Sequence, residues 1–185
     1  MNAAHSHLII NHFPIIGLIF GIIVLLIGIL AKSSVTRRVG LLLFVIAGIT
    51  AQISDATGEG AEHLVKEEVE QRTISMDCPE AIETTLENSE ETKILIHIHE
   101  EHAEELMPIM WGIMALSLIA LFLEFRKKSM AMPASVIVLI IGVIAVYFAR
   151  EVGNSGGEIS HPEIRKDFKL KETPSSDSNT YQDED

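Results

Sequence analysis

The chain is poor in cysteine and in positive charge, and each shortage removes a class of protein. Its single cysteine, Cys78, cannot close an internal disulfide, so a disulfide-stapled scaffold is excluded. Lysine and arginine number 14 against 26 acidic residues, a formal net charge of -12. Nothing in that balance could neutralise a row of phosphates, which excludes nucleic acid as a partner. No basic residue precedes His12 and no small-residue cleavage site follows the first apolar run, so no removable signal peptide is expected.

What the chain does have is apolar residues in blocks. They make up 48% of the 185 residues, and four stretches, 13–31, 39–54, 106–123 and 129–149, carry no charge. A helix needs roughly 20 residues to cross about 30 Å of hydrocarbon, and these stretches do not alternate as barrel strands would. A soluble helix of this length would show a polar face. The expected fold is therefore all-α and membrane-embedded: four transmembrane helices, about 13–31, 39–55, 106–124 and 129–149, in a bundle spanning residues 1–165. A helical, acidic extension outside the membrane is expected over about 57–105, and a disordered acidic tail over 166–185.

Charge in the short connections sets the orientation. Lys32, Arg37 and Arg38 lie between the first two spans, and Arg126, Lys127 and Lys128 between the last two, which places both loops in the cytoplasm. Both termini then lie outside, as expected for a bacterial plasma-membrane protein. Residues 55–105 carry sixteen acids against three bases, Lys66, Arg72 and Lys93. All eight histidines fall on the same outer side, His5, His7, His12, His63, His97, His99, His102 and His161, most of them near helix ends.

Local signals refine this picture. Pro14 suits the first turn of a helix, and Gly17, Gly21 and Gly28 share a face able to approach another helix, in this copy or a second one. Gly40, Ala47, Gly48 and Ala51 give the second span a similar face. Gly58 and Gly60 allow a bend or break before a helix over about 61–72, in which Glu62 with Lys66 and Glu68 with Arg72 are four apart. A loop through Cys78, a short helix over 79–86 and a third helix from about Glu91 are expected. That third helix would project beyond the membrane, with Ile94, Leu95 and Ile98 packing near Leu64 and Val65, and a kink at Pro108. The glycines of 153–157 are expected to turn the chain after the fourth span.

The densest group of chemically active side chains is His97-Ile98-His99-Glu100-Glu101-His102-Ala103-Glu104-Glu105. On a helix His99 and His102 share the face that Leu106, Ile109 and Ile113 carry into the membrane. Imidazoles and carboxylates on adjacent turns bind zinc, iron, manganese or copper, although this is not the His-Glu-x-x-His pattern of zinc proteases. His12, Asp55, Glu59, Glu62, His161 and Glu163 lie at the other outer helix ends. Bundle sites are built from facing helices, so the expected metal ligands are His12, Glu62, His99 and His161, with His102 and Glu59 as alternates. Haem b is the second cofactor that paired imidazoles would suit.

His12-Phe13-Pro14, Thr57-Gly58-Glu59-Gly60-Ala61-Glu62, Ile98-His99-Glu100-Glu101 and Gly156-Gly157-Glu158-Ile159-Ser160-His161-Pro162-Glu163-Ile164 together carry a resemblance. Over most of residues 5–165 the chain resembles a group of small, mostly uncharacterised bacterial four-pass membrane proteins. The resemblance implies the four-pass architecture and the choice of His12, Glu62, His99 and His161, and no particular activity. The leading expectation is a membrane-embedded metal- or haem-binding module, in redox or electron transfer, sited at the outer mouth of the bundle. Its rival is a non-enzymatic membrane subunit or scaffold that binds a partner protein through the acidic outer domain, or a second copy of the chain. Transport or pH sensing is a third reading, weakened by the absence of charge inside the spans.

Overall fold

The computed structural model describes residues 3–74 and 79–161; the expected tail over 166–185 and the loop at Cys78 lie outside them. Among the described residues there are five helices and no strand: α1 Ala3–Ile10, α2 His12–Leu30, α3 Ser34–Ile74, α4 Pro79–Phe125 and α5 Ala131–Ser160. Four helical lengths are long and apolar enough to cross a membrane, the first formed by α1 and α2 together. α1 and α2 meet at Asn11, whose N–H still donates to the carbonyl of His7 at 2.9 Å. The chain therefore enters the first apolar run already helical.

α2 packs on α3 and α5, α3 on α4, and α4 on α5. The buried positions repeat with a period of seven. On α2 they are Pro14, Gly21 and Gly28 with Leu18 and Leu25; on α3, Arg37, Phe44 and Ala51 with Gly40 and Ala47. On α4 the rows are Leu106, Ile113 and Ala120, and Met110, Ser117 and Glu124; on α5, Ala131, Val138 and Ala145, and Ser135, Gly142 and Ala149. A seven-residue period is 3.5 residues per turn, which keeps one seam of each helix against its neighbours. The opposite faces expose Phe20, Leu26, Ile119, Phe122, Ile140 and Tyr147, an apolar exterior suited to lipid.

Small residues let the seams close. A Cβ on Gly28 would lie 2.6 Å from the backbone nitrogen of Arg37, and one on Gly40 would lie 2.7 Å from that of Leu25. The glycine face expected on the first span thus meets α3 of the same chain, where backbones can touch only without side chains.

Several local expectations are corrected. Gly58 and Gly60 do not break α3, and Gly153, Gly156 and Gly157 do not turn the chain, because α5 continues to Ser160 and no glycine has a positive φ. The side chains of Thr57 and Ser155 bond back to carbonyls three and four residues earlier, and the helix persists around them. The short helix over 79–86 is the beginning of α4, which runs unbroken through Pro108. Among the described side chains of α4 before Leu106, Ile96 is buried at 9% exposure, whereas Ile94 is 60% exposed and Ile98 is also exposed. Ile96 lies on the seven-residue row ending at Met110, Ser117 and Glu124; Ile94 and Ile98 do not.

The two ends of the packed helices differ in chemistry. The end with the short turns holds Arg37 against Glu124, and its turns pass through Lys32 and Lys127 at φ 51° and 49°, a left-handed conformation uncommon for lysine. The other end holds histidines and hydroxyls.

Candidate functional site

The helix seams carry histidine beyond the apolar runs. His7 stands seven residues before Pro14, and His99 seven before Leu106, so each continues a buried row past the end of the hydrocarbon-compatible segment. His102 lies one turn further along α4. Opposite them the rows of α3 and α5 end in Ser54 and Gly58, and in Ser155 and Gly156.

Hydrogen bonds fix the rings. His7 Nδ1 lies 3.0 Å from the carbonyl oxygen of Ser54 and 3.2 Å from Thr57 Oγ1. A carbonyl only accepts, so Nδ1 carries a hydrogen and donates it there. Thr57 itself donates to the carbonyls of Ile53 or Ser54, leaving its lone pairs toward the imidazole.

His99 repeats the arrangement on the other side. Its Nδ1 is 3.0 Å from Ser155 Oγ, a buried hydroxyl that donates to the carbonyls of Glu151 or Val152 and therefore accepts from the ring. His102 Nδ1 approaches the same oxygen at 3.5 Å. Gly156 makes room for this ring: a Cβ there would lie 3.1 Å from His99 Cε1.

His99 lies two turns outside the apolar run that begins at Leu106. Burial first, then the charge that His7 would carry and, more weakly, that of His102, push its pKa below the ordinary 6.5, against an opposing hydrogen bond to the Val152 backbone. His7 and His99 are thus close enough to feel each other although 92 positions separate them, and the imidazole of His99 is held neutral at neutral pH.

The residues expected from sequence fall differently. His99 and His102 share Ser155 at this site. His12 is exposed, its Nδ1 donating to the carbonyl of Leu8 on its own helix at 2.9 Å. Glu59 is exposed and Glu62 half-buried on α3. His161 caps the end of α5, its backbone N–H donating to the Gly157 carbonyl, with the residue exposed. Among the described residues no three His, Cys, Asp or Glu side chains stand together in a group able to hold a metal ion. His12, Glu62, His99 and His161 are therefore not gathered as one ligand set in this arrangement.

His7, Ser54 and Ser155 were absent from the residues expected at a site; His7 and Ser54 were legible by register, and Ser155 lies one residue off it. His7 is seven residues before the helix-starting Pro14, Ser54 seven after Ala47, and Ser155 next to the position seven after Ala149. No protein-family model, no curated protein and no solved structure matches this chain.

Proposed function

We propose that the chain is a four-helix bundle in a bacterial plasma membrane, with both termini and an acidic helical extension on the outer side. At its outer end it holds a transition metal ion, free or as haem iron, in electron transfer. The observation that carries this reading is the anchoring of Nδ1 on His7 and His99. On each ring Nδ1 is engaged by a neighbouring helix, which leaves Nε2 as the nitrogen that would ligate a metal.

The donor chemistry fits copper or iron better than manganese, since the anchored groups are imidazoles and not carboxylates; zinc would bind such a set without changing oxidation state. His7 and His99 would supply ligands, and His102 shares the Ser155 hydroxyl with His99. Ser54, Thr57 and Ser155 would orient the rings. With two imidazoles the set is open, leaving positions for water or a substrate. The bound ion would supply the redox chemistry; the chain supplies half-buried, oriented imidazole nitrogens.

The test is elemental analysis and an absorption spectrum of the detergent-purified full chain, before and after incubation with zinc, iron, copper or haem b. Metal or haem retained at one equivalent, lost in His99→Ala and kept in His12→Ala, is the expected result. A chain that retains none of the four, or that retains them equally in both variants, would exclude this function.

A further inference from the structure

The opposite end of the molecule carries a second feature, independent of the metal reading. Where α2 turns into α3 and α4 into α5, a cavity of about 280 Å³ is lined by Ser34, Arg37, Arg38, Glu124, Lys127 and Lys128, among others. Four cations face one carboxylate. That carboxylate is engaged by Arg37, and Arg38 reaches only the backbone carbonyl of Glu124, Nη2 to oxygen at 3.1 Å. Arg38 Nε is buried without a hydrogen-bond partner. Among the described residues neither Lys127 nor Lys128 forms an ion pair.

We propose that this cavity binds the phosphate group of an anionic phospholipid. A phosphate supplies what the cavity lacks, negative charge for the unpaired lysines and for the Arg38 guanidinium. Lysines act as point charges there, while the Ser34 hydroxyl can donate to a further oxygen. The lipid source follows from the surroundings. Leu30, Val35, Phe125 and Met130, at the same end, are all exposed, so a headgroup in the cavity could keep its acyl chains on apolar surface. Basic pockets between membrane helices hold such headgroups by this combination.

The guanidinium of Arg38 is already placed for the task. It lies 4.7 Å from the centre of the Phe125 ring, which holds the side chain over the mouth of α4 instead of letting it extend into water. Arg126 stacks on Phe122 at 5.4 Å and does not line the cavity, so it provides a control of equal charge.

Native mass spectrometry of the full chain in detergent, with dioleoylphosphatidylglycerol and dioleoylphosphatidylcholine at matched concentrations, tests the proposal. Phosphatidylglycerol should bind at least about tenfold more tightly. Arg38→Gln and Lys128→Gln should each weaken it about fivefold without changing phosphatidylcholine retention, whereas Arg126→Gln should leave both unchanged. A thermal midpoint for each variant separates loss of binding from loss of fold, and Lys128, being exposed, serves if Arg38→Gln does not fold. Equal retention of the two lipids, or an Arg126→Gln effect as large as that of Lys128→Gln, would overturn the site. Inorganic phosphate displacing the lipid at equal concentration would overturn the lipid assignment, since the recognised group would then be a soluble anion.

Discussion

Arg37 Nε and Glu124 Oε1 lie 2.5 Å apart, joining α3 to α4 across 87 residues of sequence, with the two residues only 8% and 3% exposed. The pair sits at the end of both buried rows, so each charge is shut in by helices and has the other as its compensation. Breaking a buried pair leaves an uncompensated charge and costs about 3–5 kcal/mol, whereas replacing both partners by apolar residues is often neutral or better. Glu124→Ala should therefore lower the thermal midpoint of the purified protein sharply, and Arg37→Met with Glu124→Leu should recover most of the loss. Equal stability of Glu124→Ala and the parent would show that the pair contributes nothing.

Two glycines in similar sequence surroundings should respond oppositely to alanine. Gly40 faces the Leu25 backbone, where a Cβ would approach to 2.7 Å, and neither partner is a flexible side-chain tip. Gly40→Ala should cost about 1–3 kcal/mol, the range for overpacking a closed contact. Gly112 has nothing within 4 Å of an added Cβ, so Gly112→Ala should be neutral or gain up to about 1 kcal/mol from helix propensity. Thermal unfolding of both variants in one detergent decides; a loss at Gly112 equal to that at Gly40 would refute the packing described for α2 and α3.

Acid should weaken the metal-free protein at its histidine end. The pKa of His99 lies below the ordinary 6.5 in the folded chain, because burial and the neighbouring His7 oppose its charge. Below 6.5 the unfolded chain takes up a proton that the folded chain resists, so the folded state loses stability as pH falls through the folded pKa. The stability contributed by the neutral ring is intact above 6.5. A titration of thermal midpoint from pH 8 to pH 5 should therefore slope downward toward acid, and His99→Gln should flatten that slope. A slope unchanged in His99→Gln would assign the effect elsewhere.

The membrane character of this chain was legible because lipid imposes uncharged runs, and a run such as 129–149 needs no partner to be recognised. The glycine face of the first span was legible for a related reason: Gly17, Gly21 and Gly28 permit an approach that side chains forbid. The site was less so. His12 drew attention by its place beside Phe13-Pro14, yet it lies off the seven-residue row, and its ring turns back to Leu8 on its own helix. His7 lies on the row. Membership of a small motif says which residues stand near a helix end, whereas register says which of them face another helix. Glu124 shows the same limit. Its partner Arg37 emerges only when α3 and α4 are placed side by side.

Ser155 offers the sharpest separation between a site and a packed helix end. Its hydroxyl is almost fully buried, accepts from His99 Nδ1 at 3.0 Å and lies 3.5 Å from His102 Nδ1, so one oxygen orients two rings. Ser155→Ala removes that acceptor with little change in volume. If His99 serves only packing, the cost is that of one buried hydrogen bond, about 1–3 kcal/mol in the thermal midpoint, and nothing else changes. If His99 is a metal ligand, the metal affinity of the folded protein should also fall about 10–100-fold, as it does when the partner that orients a ligating imidazole is lost. Ser155→Thr, which keeps the hydroxyl, should restore affinity more than stability, because its added methyl enters a buried position. A Ser155→Ala protein that binds metal as tightly as the parent would leave the anchored rings as packing alone.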